Sequence, residues 1–461
     1  KHHKITQKVL FMFYCCELEI LFNGWKYTKF CLAYLLRKLR KSSINRIYEH
    51  ILLKVDNNVF ETTLQVNNII ANGVLKFGLD VEREIHRTRG VSLIEQRDNI
   101  VFSPTSLAAI LAIVLAGSAG RTFDEASKVL GLEAGIDISQ NSEIVHQMFG
   151  VLLSQLQSKE SAGILLPQLN FATAAYVQNG FPILPQFKLL SKEVYQTDVF
   201  NVDFARNGKG AEEMINMWVR QKTKGKITSI LNHVPGPGTA MILLSALYFN
   251  GEWNQYFLDG ATKRPFFIEP NETVNVNMMY NGGTFPYSIL LRLKLKFTRF
   301  FKNFYYIHIH ILSNYSIISF QLSMYNETCV IGFPRMKLST SLSLRPTLAA
   351  LGLESLFDPV TADLSLISQS NAVTNMNNRN QTNARASESR PKPNVLQKVE
   401  IDITEKGTEA AAVTSVVLER DGSQKRFIAN RPFIFFIRHD PSKLVLFWGT
   451  INVPTPNYPT T

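Results

Sequence analysis

A helical period opens at Ala71, where Val74, Phe77, Val81 and Ile85 recur at three- and four-residue spacing and predict a surface helix with one buried face. Asn99-Ile100-Val101-Phe102-Ser103-Pro104 then leads into Leu107–Ala116, apolar on every side, which predicts a helix inside the core. A second amphipathic helix is predicted from about Gly210, burying Met214, Ile215 and Trp218 and stopping near Gly225, a natural left-handed terminator. Ala240–Phe249 is a nearly continuous apolar run, the pattern of a strand covered on both faces. Phe433–Ile437 and Leu444–Trp448, bounded by Pro432, Pro441 and Gly449, predict two more buried strands. The mixture is that of an α+β protein with several sheets.

Two stretches break the pattern. Residues 369–394 are too polar to bury anything and predict a surface insertion. Residues 288–326 are hydrophobic and basic, contain no Asp or Glu, and show neither alternation nor turn chemistry. They predict no strand and resemble translated intron. Residues 1–60 have a similar composition, so 1–65 is set apart as an N-terminal extension and 66–461 as the folded domain.

Composition changes this picture little. The chain has 461 residues, 45% of them hydrophobic, and a formal net charge of +12. Much of the positive excess sits in the two odd stretches, neither of which carries a nucleic-acid motif, so no nucleic-acid partner is expected. Leu107–Gly117 is far short of the roughly 20 residues that span a bilayer, and no membrane association is expected. Cys15, Cys16, Cys31 and Cys329 have no metal-ligand spacing, and His308 and His310 lie in the unpatterned stretch, so no metal or other cofactor is expected. No glycine-rich phosphate loop or nucleophile–base pairing is evident, which argues against an enzyme. Lys1, Lys4 and Lys8 before Val9–Cys16 have the charge order of a secretion leader with a short apolar core. Glycosylation triplets begin at Asn271, Asn314, Asn326 and Asn380 and favour a secreted glycoprotein.

The most informative region is Glu405-Lys406-Gly407-Thr408-Glu409-Ala410-Ala411-Ala412-Val413-Thr414-Ser415, followed by Val416–Arg426 and Asn430-Arg431-Pro432-Phe433. Taken alone it is a strand-competent run of small and β-branched side chains between a charged bend and a charged tip, compatible with a hairpin turning at Asp421-Gly422. It resembles the hinge, reactive-centre loop and C-terminal signature of the serpins, in their arthropod version. Asn99–Ser106, Asn216-Met217-Trp218 with Thr223-Lys224-Gly225-Lys226-Ile227, Ala246–Trp253, Phe333-Pro334-Arg335-Met336-Lys337 and Leu351-Gly352-Leu353 resemble other serpin blocks, in the family's order. The likeness covers about 66–287 and 330–453.

The resemblance implies a fold of about three β-sheets with surrounding helices, and a loop that, once cut, enters the central sheet with the acylated protease attached. Period two places Thr408, Ala410, Ala412 and Thr414 on the inward face and Glu409, Ala411, Val413 and Ser415 on the other; no bulky, charged or proline residue faces inward. By family loop length the scissile bond is Asp421-Gly422. Arg420 suits the acidic pocket of trypsin-like proteases, which favours Arg420-Asp421. The resemblance further implies a breach ion pair between Glu405 and Arg335 near Trp253, and shutter hydroxyls at Ser103 and Ser106. Ser245 and Gln397 stand where the family usually has Asn and His, and are expected to rebuild that hydrogen-bond cluster together. The function implied is suicide inhibition of a trypsin-like extracellular serine protease by a secreted monomer, within an immune or melanisation cascade. The alternatives are a non-inhibitory carrier or storage serpin, or a non-functional chain containing untranslated sequence.

Overall fold

Ser103 accepts a hydrogen bond at Oγ from the Ser106 amide, and Pro104 presets the first helical turn, so α2 (Pro104–Gly117) starts where the sequence places it. All but one of its residues are buried, as an all-apolar surface requires. The computed structural model describes residues 67–88, 98–131, 138–156, 168–250, 257–290, 295–298, 304–305, 325–368, 392–405, 425–439 and 441–455. All of these lie in the unit Val66–Thr461.

Before α2 come α1 (67–88), with Val74, Phe77, Val81 and Ile85 buried, and β1 (Ile100–Phe102). After it follow α3 (Gly120–Val129), α4 (Ile138–Leu156), β2 (Gln168–Gln178), α5 (Pro185–Glu193), β3 (Asp198–Val202), α6 (Gly208–Lys222) and β4 (Thr239–Asn250). The chain continues through β5 (Thr262–Glu269), β6 (Glu272–Leu290), β7 (Leu295–Thr298), β8 (Phe304–Tyr305), β9 (Tyr325–Pro334), β10 (Met336–Ser343) and α7 (Arg345–Ala350). It ends in β11 (Lys392–Ile403), β12 (Lys425–Ile428), β13 (Phe433–His439) and β14 (Leu444–Ile451).

Three sheets result: β10-β11-β4-β2-β3, β1-β14-β13-β8, and β12-β9-β6-β5 with β7 on β6. In the first, β4 is buried on both faces. Met241, Leu243, Leu247 and Phe249 join the main core with α2, while Ile242, Leu244 and Ala246 join a second cluster under α6. That double burial is why the sequence shows no alternation here. In the second sheet Gly449 faces Phe435, and a Cβ at 449 would come within 2.3 Å of that ring. Only glycine fits there.

Two expectations need correction. Met214 is exposed, because the buried stripe of α6 runs through Ala211, Ile215, Trp218 and Val219 and leaves it at the margin. Strands also form within 288–326: β6 reaches Leu290, β7 pairs with it, β8 pairs with β13, and β9 begins at Tyr325. Ladder hydrogen bonds use the backbone and impose no alternation on the side chains, so the lack of a period-two pattern did not exclude strands there. The polar insertion expected at 369–394 lies outside the described residues except for its last three, which belong to β11.

One buried and one half-buried histidine tie stability to pH. His146 hydrogen-bonds the Tyr195 hydroxyl, His439 Nδ1 lies 2.7 Å from Ser442 Oγ, and burial pushes both imidazoles down to about 4. Below about pH 6.5 the unfolded chain takes up protons that the folded chain refuses, so stability falls between about pH 6.5 and 4 and is fully present above that window. Each contributes on the order of 2–3 kcal/mol at the bottom of the window. Urea midpoints measured at pH 7.5 and 5 are expected to drop accordingly, and His146→Gln to remove about half of the drop; an unchanged pH profile in that variant would show that His146 is not a source.

Candidate functional site: a parallel seam in the central sheet

β4 and β11 are parallel neighbours, in register from Met241↔Pro393 to Phe249↔Ile401. Each has an antiparallel neighbour on its far side: β4 pairs with β2, and β11 with β10. The seam is irregular at its lower end, where the register shifts between Lys392 and Pro393 and the proline has no amide to donate. An apolar cavity of about 110 Å³ opens there, lined by Val177, Met241, Leu364, Ile367 and Pro393 among others.

Halfway along the seam, on the core side, the expected shutter residues meet. The Gln397 carboxamide oxygen accepts from the Ser103 amide at 2.9 Å, and its nitrogen donates to the Ser103 carbonyl at 3.1 Å and to Ser106 Oγ at 2.6 Å. All three residues are buried. One amide that both donates and accepts therefore ties β11 to the start of α2. Ser245 does not join: it sits directly opposite Gln397 on β4, yet its buried hydroxyl has no hydrogen-bond partner, because a serine side chain is too short to reach the cluster. The expectation of a joint Gln397–Ser245 repair is thus corrected, and Gln397 does the bridging alone. The same row continues through Thr173, opposite Ser245 on β2, whose hydroxyl lies 2.6 Å from Thr197 Oγ1. Neither threonine was found from sequence, since nothing in their spacing marks them.

At the upper end Glu405, 3% exposed, accepts from Arg335 Nε, and its other oxygen accepts from the Ala261 amide at 3.2 Å. Arg335 occupies the bend between β9 and β10, its amide bonded to the Asn277 carbonyl at 2.8 Å. The pair therefore joins the end of β11 to the neighbouring sheet. Trp253, Gly407, Thr408, Glu409, Ala410, Ala411, Ala412, Arg420, Asp421 and Gly422 lie outside the described residues, as do Asn314 and Asn380. After residue 424, Lys425–Ile428 forms β12, which pairs in parallel with β9. Among the described residues no group of three His, Cys, Asp or Glu could hold a metal, and no helix is long and apolar enough to cross a membrane.

The model of the serpin (serine protease inhibitor) family matches residues 72–305 and 309–454. The chain belongs to the serpin family. The match runs through residues 288–305 and 309–326, the stretch for which no likeness was expected. Curated serpins similar to the chain include serine protease inhibitor 28Dc of Drosophila melanogaster, 29% identical over 85% of this chain and 80% of that one. Others are leukocyte elastase inhibitor of Bos taurus, 31% identical over 77% and 93%, and intracellular coagulation inhibitor 2 of Tachypleus tridentatus, 30% over 78% and 86%. Among solved structures, uncleaved ovalbumin superposes with a TM-score of 0.69 at 24% identity over 84% of this chain and all of that one. Serpin48 of the insect Tenebrio molitor gives 0.65 at 25%, over 84% and 99%.

The cluster predicts unequal effects for two neighbouring residues. Gln397→Leu strands the Ser103 amide in the core at roughly 1–3 kcal/mol and leaves the Ser106 hydroxyl only its 3.3 Å bond to the Ser103 carbonyl, and the urea midpoint of the serpin should fall by the corresponding amount. Ser245→Ala removes a hydroxyl that bonds nothing and should change stability by less than about 0.5 kcal/mol or raise it slightly. Equal losses in the two variants would refute this assignment.

Proposed function

We propose that this serpin inhibits a trypsin-like serine protease, offering Arg420-Asp421 as bait and inserting the cut loop between β4 and β11. The observation that carries the reading is the parallel seam. A strand following β11 after a turn runs antiparallel to β11 and, because β4 is parallel to β11, antiparallel to β4 as well. It would find a backbone ladder on both sides. The segment 408–419 matches β11 and β4 in length, twelve residues each, and its inward face is made of small groups. Gln397 ties β11 to the start of α2 and Glu405 ties its end to Arg335, so in this reading both fix the position of β11 when the sheet opens.

Arg420 is the better bait on two grounds. Its guanidinium forms a charge-assisted pair with an acidic pocket that Asp421 cannot form. The other basic candidates, Lys425 and Arg426, belong to β12 and are paired with Cys329 and Val330 of β9, with Lys425 also bridged to Glu327. A protease needs its substrate extended and free of such pairing. In this reading the serpin is a secreted monomer acting in an extracellular immune or melanisation cascade, with glycans at Asn271, exposed in the turn between β5 and β6, at exposed Asn326 and at Asn380. A non-inhibitory carrier would not need small residues at 408–414, which is why inhibition is preferred.

Mixed with trypsin, the protein is expected to form a covalent complex that survives boiling in detergent. Arg420→Ala should slow its formation roughly 30-fold or more, the loss that follows truncation of a buried charge pair. Thr408→Arg should be cut without trapping the protease, because a charge would have to be buried at the first inserted position. Cleaved serpin with fully active trypsin in the wild-type reaction would overturn the inhibitory reading.

A further inference from the structure

We propose that Asp198 is a latch that holds α6 down on the sheet beside the seam and sets how fast a strand can enter it, a positioning residue for the inhibitory reaction proposed above and resting on that reading. Its carboxylate is met by three donors from two helices. Trp218 Nε1 of α6 donates to Oδ2 at 3.0 Å, Lys222 Nζ of α6 lies 2.8 Å from the same oxygen, and Lys192 Nζ of α5 donates to Oδ1 at 2.8 Å. Asp198 itself opens β3 at the edge of the central sheet. The lysine is further held 5.7 Å above the Trp218 ring, and that ring stands edge-on to Tyr176 of β2 with centroids 6.3 Å apart. Burial alone would raise the carboxyl pKa, but the bonds from Lys192, Lys222 and Trp218 outweigh it and hold the group down at about 2, so it is charged at any working pH.

What the latch holds matters for insertion. Ala211, Ile215, Trp218 and Val219 of α6 pack in one cluster with Tyr176, Ile242, Leu244 and Ala246, and Leu396 of β11 packs against it. The cluster therefore reaches both sides of the seam. Side chains of an entering strand alternate between faces, and Glu409, Ala411, Val413 and Ser415 would project toward α6. A close-packed face has no room for them unless the helix lifts. Apolar packing resists lifting along the whole helix, whereas Asp198 fixes the C-terminal turns by directional, charge-assisted bonds that must break first. Both lysines are more than two-fifths exposed, so salt weakens their share of the latch.

The test uses the full chain with trypsin, with Asp198→Asn and Lys222→Met breaking the latch from opposite sides. In stopped-flow measurements both variants should insert the loop several-fold faster than wild type, and wild type should accelerate between 0.05 and 0.5 M salt while Asp198→Asn does not. Hydrogen exchange of α6 amides in the uncut protein should rise several-fold in both. Lower melting temperature with an unchanged insertion rate would reduce Asp198 to a structural role and overturn the proposal. If wild type traps no trypsin the inhibitory reading fails and takes the kinetic claim with it; α6 exchange in the uncut variants then decides the latch alone, and unchanged exchange overturns it.

Discussion

The parallel pairing of β4 with β11 is the constraint on which the rest of the central sheet depends. Every other pair between β10 and β2 is antiparallel, and β2 with β3 is the one further parallel contact in that sheet among the described strands. Two parallel strands joined side by side leave a place that an antiparallel strand could take with ladders on both sides. One face at that place is covered by α2 and its neighbours; on the other, the α6 cluster buries β4 and Leu396 of β11 packs against its margin. Closure of the seam is thus a matter of what crosses it and what lies over it.

Beyond the backbone ladder that crosses it, the side chains that tie β11 down are few and polar. One carboxamide, Gln397, makes three hydrogen bonds to Ser103 and Ser106, and one carboxylate, Glu405, joins Arg335 and the Ala261 amide. Directly opposite Gln397, Ser245 leaves a buried hydroxyl without a hydrogen-bond partner. Gln397 succeeds where Ser245 does not through reach: an amide two methylenes from the backbone presents a donor and an acceptor to the helix start at once.

Loop attachment is asymmetric. Upstream, the chain leaves β11 at a single buried ion pair; downstream it enters β12, which is hydrogen-bonded along its length to β9. In the mechanism proposed, a cut between them frees the upstream piece from the anchored one.

Much of this was legible in the chain itself. Burial of α1 followed from its period, α2 from its all-round apolarity, β4 from its unbroken run, and the serpin blocks from residues that stand in order. The sequence also supplied the donors and acceptors at 103, 106, 335, 397 and 405. It misled at Met214, where a one-residue error in the phase of the helical stripe exchanges buried for exposed, and in 288–326, where backbone pairing made strands that side-chain pattern did not advertise. Contacts between elements were decided only in three dimensions: that Ser245 falls short of its cluster, that Thr173 meets Thr197, and that Lys192, Trp218 and Lys222 converge on Asp198. Periodicity reports which face of an element is apolar because water acts on each residue locally. Hydrogen-bond geometry depends on distances fixed by packing across the whole fold, and no local pattern encodes it.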